Sequence, residues 1–189
     1  GDAISDVLFG DVNPSGKLTT TFPQNVGQVP MYYAQKNTGR PLAEKKWFEK
    51  FRSNYLDVSN DPVYAFGFGL SYTSFSYGEI NLSKLEMSAK DSVTVSVDVT
   101  NTGSQDGAEV VQFYIRDLVG SVTRPVKELK GFQKVVLKAG ETKKVSFVVK
   151  NKDLSFYKSD LSFGSEPGKF QLMIGGNSRD VKQVELNLN

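Results

Sequence analysis

The sequence predicts a mainly β protein: a sandwich of about seven antiparallel strands, preceded by a short helix and a long irregular linker. Three observations carry this. Residues 92–100 alternate without a break, with Val93, Val95, Val97 and Val99 on one face and Thr94, Ser96, Asp98 and Thr100 on the other. That period of two marks a half-buried strand of an antiparallel sheet. Further strand-length runs follow at short, turn-marked intervals to the C-terminus. From Gln24 to Asp61, by contrast, neither the helical nor the strand period is sustained.

Taken in order, the chain begins with Asp2-Ala3-Ile4-Ser5-Asp6-Val7-Leu8-Phe9, where Ala3, Ile4, Val7 and Leu8 share a helical face and Gly10 supplies a C-cap. So short a helix is not stable alone in water and needs a packing partner, which suggests a longer parent. Asp11-Val12-Asn13-Pro14-Ser15-Gly16 starts like a calcium loop, but the bidentate Glu position is Phe22 and Pro14 does not suit the loop. It reads as a turn, and no metal site is expected. Residues 17–21 look strand-like, ended by Phe22-Pro23. A connection as long as 24–61 is uncommon in a compact domain, and its rings (Tyr32, Tyr33, Trp47, Phe48, Phe51, Tyr55) argue for ordered chain lying on another surface. Residues 45–52 could form a helical turn or two. Residues 61–75 then pack five aromatic rings beside Gly67 and Gly69, and read as the seam where a β-domain docks onto what precedes it.

Residues 108–116, 131–137, 144–149, 169–174 and 181–188 read as the next strands. The turns between them carry Asn101-Thr102-Gly103, Lys138-Ala139-Gly140-Glu141 and Pro167-Gly168. Strands of this number and spacing in about 110 residues indicate a sandwich of immunoglobulin or fibronectin type III kind. Such a domain is large enough to bury a core without disulfides.

Composition narrows the chemistry. The 189 residues contain no Cys and no His, which removes thiolate nucleophiles, Cys-type zinc clusters, Ser-His-Asp triads and imidazole bases or ligands. Carboxylates, Lys, Tyr and Ser remain, so a self-contained enzyme is not expected, and neither is a cofactor. No run approaches the ~18 apolar residues of a membrane span. The net charge of +2 implies no general polyanion preference. Residues 124–152 do carry nine basic residues against Glu128 and Glu141. A nucleic-acid groove would want aromatics interleaved on the same face, whereas Phe132 and Phe147 fall where core residues are expected. The lysines read instead as solvated strand faces and protected edges.

The motifs resemble glycoside hydrolase family 3. Gly10-Asp11-Val12-Asn13-Pro14-Ser15-Gly16-Lys17-Leu18 and Thr21-Phe22-Pro23 look like the end of that family's α/β sandwich domain. Asn37-Thr38-Gly39-Arg40-Pro41 and Phe66-Gly67-Phe68-Gly69-Leu70-Ser71-Tyr72-Thr73-Ser74-Phe75 look like its linker. Asn101-Thr102-Gly103, Arg124-Pro125-Val126-Lys127-Glu128-Leu129-Lys130-Gly131-Phe132, Lys138-Ala139-Gly140-Glu141-Thr142, Glu166-Pro167-Gly168-Lys169-Phe170 and Ile174-Gly175 are similar to its fibronectin type III-like domain. The resemblance, strongest to the periplasmic β-glucosidase branch, covers essentially the whole chain. It implies a remnant of the α/β domain at 1–23, an extended aromatic-rich linker at 24–75 and the fibronectin-like domain at 76–189.

The resemblance also implies a parent that is a retaining β-glycosidase, with a nucleophilic Asp on a TIM-like barrel and an acid/base Glu on the α/β domain, both upstream of Gly1. No carboxylate here matches either motif, so no catalytic residue is assigned. The implied partners are the upstream catalytic domains, a β-glucoside or oligosaccharide met through the parent, and a second copy in a homodimer; the implied compartment is the periplasm or the exterior. In the linker, Asn37, Arg40, Arg52 and Tyr55 are the candidates for the substrate periphery or, as simpler packing, an interdomain contact. An alternative reading is an independent carbohydrate-binding module using exposed rings at Trp47, Tyr55 or Tyr157.

Overall fold

The computed structural model describes residues 1–42, 46 and 48–189. Helix α1 (Asp2–Phe9) ends at Gly10, whose φ of 89° is the left-handed conformation that a Cβ disfavours. A single 3₁₀ turn (Val26–Gln28) follows. Eleven strands come next in chain order: β1 (Phe75–Tyr77), β2 (Asn81–Leu82), β3 (Glu86–Met87), β4 (Ser92–Asn101), β5 (Gly107–Asp117), β6 (Glu128–Leu137), β7 (Thr142–Lys150), β8 (Phe156–Tyr157), β9 (Phe163–Gly164), β10 (Gly168–Gly175) and β11 (Val181–Leu188). A one-turn helix α2 (Asn151–Leu154) separates β7 from β8.

Two sheets form the sandwich. In one, β4 pairs with β7 along one edge and with β1 and β2 along the other; the second runs β3-β11-β10-β5-β6. All pairings are antiparallel except β3 with β11. Their facing sides meet in one core: Val93, Val95, Val97 and Val99 of β4 oppose Val111, Phe113 and Ile115 of β5 and Phe170, Leu172 and Ile174 of β10. The predicted alternation of β4 is therefore observed residue by residue. β8 and β9 stand apart as a two-stranded hairpin.

The elements missed from sequence are short: β1, β2, β3, β8, β9 and α2 span two to four residues each, too few to display a period. Three expectations are corrected. Residues 17–21 form no strand; Leu18 instead exchanges single backbone bonds with Phe68 and Gly67 (2.8 Å each). Phe132 is 66% exposed, because it pairs with Gln112 and shares that residue's outward parity, while Leu137 turns inward. Phe147 does point in, stacked on Phe113 at 5.1 Å. The helical turn expected at 45–52 lies partly outside the described residues; Lys46 and Phe48–Arg52 contain a turn at Lys50 and Phe51 and no helix.

Over β5 the outer face of the five-stranded sheet is covered, while its β6 edge stays open at Phe132, Lys134 and Val136. Tyr114 and Gln112 alternate with the core residues of β5, yet both are buried, because residues 61–75 and 30–38 lie over them. Tyr33 stacks on Phe66 (4.2 Å) and meets Tyr114 edge-on (5.9 Å). Gly67, at φ 80°, brings its carbonyl onto the Gln112 amide (3.1 Å); a Cβ there would fall 2.0 Å from the Gln112 side chain. The aromatic seam read from the sequence is this contact.

Candidate functional site: the linker cleft

The stretch 24–75, expected above as a linker and so called below, folds into a cleft because two of its parts are tied to different partners. Residues 30–38 lie beside the loop before β6: Lys36 bridges Pro125, and the Val126 N–H donates to the Gln35 carbonyl (2.8 Å). Residues 53–62 return across from them, with Pro41 bridging Ser53 and the Ser53 N–H on the Arg40 carbonyl (2.8 Å). The floor is fixed by Gln28, a polar side chain only 1% exposed. Its carbonyl oxygen accepts from the N–H groups of Gln24 (2.6 Å) and Asn25 (3.1 Å), and its amide donates to the Ser59 carbonyl (2.7 Å). With the Asn25 side chain on the Gly27 N–H, this is a capping box. All the hydrogen-bonding capacity of the Gln28 carbonyl is thereby used in holding one backbone shape.

The cleft measures about 530 Å³. Tyr32, Tyr55, Asn37, Thr38, Asn54 and Asn60 supply rings, amides and a hydroxyl to its walls, and Lys36, Lys46, Lys127 and Arg179 bring positive charge. Among its described lining residues Asp61 is the sole carboxylate. Two carboxyl groups about 5 Å apart are what retaining glycoside hydrolysis uses; this cleft offers polar and aromatic recognition instead.

The four sequence candidates separate here. Asn37 and Tyr55 line the cleft; Asn37 is exposed, and Tyr55 is 38% exposed with its N–H on the Asn60 side chain (3.3 Å). Arg40 and Arg52 border it in sequence but not with their side chains. Arg40 is exposed, and among the described residues its side chain has no ion-pair partner. Arg52 donates through Nε to Glu49 (3.3 Å), which also takes Lys46 Nζ (3.1 Å). The hydrogen bonds from Lys46 first, then Arg52, hold the Glu49 carboxyl below the usual range. Gln28, Asn54 and Asn60 were missed; the Asn25-x-x-Gln28 spacing was the one signal available for the first. Trp47 lies outside the described residues.

A second cleft, about 450 Å³, opens where the N-terminal segment meets the sandwich. Asn13 donates to the Asp106 carbonyl (2.9 Å) and accepts from Ser71 Oγ and the Tyr72 N–H (2.9 Å each). Beneath it Lys17 Nζ pairs with Glu109 (3.0 Å), whose other oxygen accepts from Tyr77 OH (2.9 Å). Burial first, then the Glu109 charge, pushes the Tyr77 hydroxyl well above its ordinary pKa. The loop 11–16 is thus a structural pin, and among the described residues no cluster of three or more acidic groups could hold a metal ion.

The geometry is that of a two-sheet β-sandwich with an aromatic N-terminal stretch laid on one outer face and a polar cleft within that stretch. The family models agree: the glycosyl hydrolase family 3 C-terminal domain matches residues 1–72 and the fibronectin type III-like domain matches residues 109–178. The chain is 50% identical to a periplasmic β-glucosidase of Salmonella typhimurium over 188 residues, all of this chain and 24% of that protein. It is 45% identical to a β-xylosidase of Formosa agariphila, again over all of this chain and 25% of the relative. In structure it matches the β-glucosidase of Listeria innocua in complex with isofagomine with a TM-score of 0.93 and 41% identity, covering all of this chain and 26% of that one. The chain belongs to glycoside hydrolase family 3 and corresponds to the C-terminal region of its members. It spans about a quarter of the length of these relatives.

Proposed function

We propose that this chain is the non-catalytic C-terminal accessory region of a retaining β-glucosidase: it braces the catalytic domains and borders the substrate entrance or a dimer interface. In this reading residues 1–23 complete the preceding α/β domain, 24–75 are the linker and 76–189 are the fibronectin-like domain. Asn37, Arg40, Arg52 and Tyr55 serve at the substrate periphery or at an interdomain contact, and the parent works in the periplasm or outside the cell. The observation that carries the reading is the end-to-end match to one quarter of much longer glycosidases. α1 adds to it: Ile4, Leu8 and Phe9 are 68%, 71% and 84% exposed, an apolar face on an eight-residue helix that needs a partner. Intact mass of the native gene product tests it. A mass several times 20.9 kDa, with no glucosidase activity in the isolated chain, is expected; a native product near 20.9 kDa sinks the reading.

The alternative, an independent carbohydrate-binding module, is favoured by one observation, the 68% exposure of Tyr157.

A further inference from the structure

The β8–β9 hairpin carries rings that neither the sandwich core nor the linker uses. Phe156 anchors it: buried, with the Arg124 guanidinium 4.4 Å over its ring. Beyond that anchor the side chains turn outward. Tyr157 and Phe163 are neighbours at 5.0 Å with their planes tilted by 55°, a twisted pair 68% and 57% exposed, and Leu161 at the tip is 81% exposed. The turn is tight: the Lys158 N–H donates to the Ser162 carbonyl (2.9 Å), the Leu161 N–H to the Lys158 carbonyl (3.0 Å), and Asp160 accepts from the Ser162 N–H (2.9 Å) and hydroxyl (2.6 Å). Leu161 has a φ of 65°, a region that bulky L-residues rarely enter. Leu161 takes it as the left-handed residue that closes the three-residue turn between β8 and β9.

We propose that this hairpin is a surface platform for β-linked pyranose chains, whose apolar C–H faces stack on Tyr157 and Phe163. Ser159 and Lys158, the latter with its ammonium 3.8 Å from Glu166, stand at its edge for the hydroxyls. Size argues against a second copy of the chain: the hairpin's exposed apolar side chains, Tyr157, Phe163 and Leu161, make a small patch suited to a saccharide of a few units rather than to the ~800 Å² per partner of a stable protein interface. Place decides against the upstream segment. That segment is pinned at Asp106, before β5 begins, whereas the hairpin root packs by Arg124 and, through Glu166 and Ser121 (2.6 Å), beside the loop that leaves the far end of β5. The eleven residues of β5 set the two roughly 35 Å apart. The family 3 reading enters only in the choice of sugar.

The test is isothermal titration of the full chain with cellopentaose and with xylopentaose, beside Tyr157→Ala/Phe163→Ala. The double variant keeps its far-UV circular dichroism, since neither ring joins the core cluster, and binds at least about tenfold more weakly. Phe163→Trp binds as well as the parent chain or better. No binding by the unmodified chain, or equal binding by the double variant, overturns the platform. So does a dimer in sedimentation velocity that the double variant abolishes. A native product of 20.9 kDa would end the accessory-region reading and leave this test standing.

Discussion

From Met87 to Leu188 most of the buried apolar side chains join a single cluster, with Tyr114, Phe156 and Met173 buried outside it, while among the described residues before Phe75 the buried apolar side chains reduce to Ala65. The two regions are held by different physics. The sandwich is stabilised by non-directional burial at about 25 cal/mol per Å², and tolerates small shifts. The N-terminal region is held by directional contacts (Asn13 on Asp106, Lys17 on Glu109, Gln28 on Ser59, Gln112 on Gly67). Each of these is worth little in exchange for water, but costs more when one partner is left buried alone. A region without a core can thus be ordered, provided a neighbouring surface supplies its partners.

That contrast can be broken first from the sandwich side. Phe170→Ala, at a side chain 1% exposed, should cost about 3–5 kcal/mol and lower the midpoint of both regions together in urea denaturation. Lys17→Met comes next. It leaves the Glu109 carboxylate, 7% exposed, facing Tyr77 alone, and should cost about 3 kcal/mol; Lys17→Met/Glu109→Gln should recover most of it. Gln112→Leu removes the bonds to Gly67 and Gly176 and the acceptor for Tyr114 OH. At about 1–3 kcal/mol it should appear chiefly as faster hydrogen exchange at 61–75, with β4 unaffected.

The smallest effect belongs to Asp117. Its Oδ2 is buried without a partner, and burial above all raises its pKa, against the Val119 N–H and Arg124. A carboxyl whose folded pKa is raised favours the fold below its unfolded value near 4, and that contribution is lost as pH rises through the folded value. Asp117→Asn should therefore lift Tm slightly at pH 7 and leave it unchanged at pH 3. An equal shift at both pH values would place the effect in packing instead.

How much of this was legible in the sequence follows the same division. β4 announced itself, since Val93 to Val99 alternate and one face is wet. β5 did not show that its second face is dry, because Gln112 and Tyr114 look like ordinary outward residues until the linker covers them. Phe132 misled for the complementary reason: an aromatic invites a core assignment, while its parity is set by Leu137. In the cleft, Asn37 and Tyr55 were found by motif and ring. Gln28 acts through the Ser59 carbonyl and Asn60 through the backbone of Ser53 and Tyr55, and a backbone group leaves no trace in residue type. The hairpin rings were half visible, with Tyr157 singled out and its neighbour Phe163 not.

The doubly covered β5 bears on how such chains could be recombined. A strand wet on one face can be a border between interchangeable parts, because one surface is free to drift. From Val111 to Ile115 every side chain of β5 is enclosed, by β4 and β7 on one side and by Tyr33, Phe66 and Gly67 on the other. A chimera joined between the linker and the sandwich would bring two unacquainted surfaces together over Tyr114. A junction placed upstream of Asn13 would carry lock and key across as one piece.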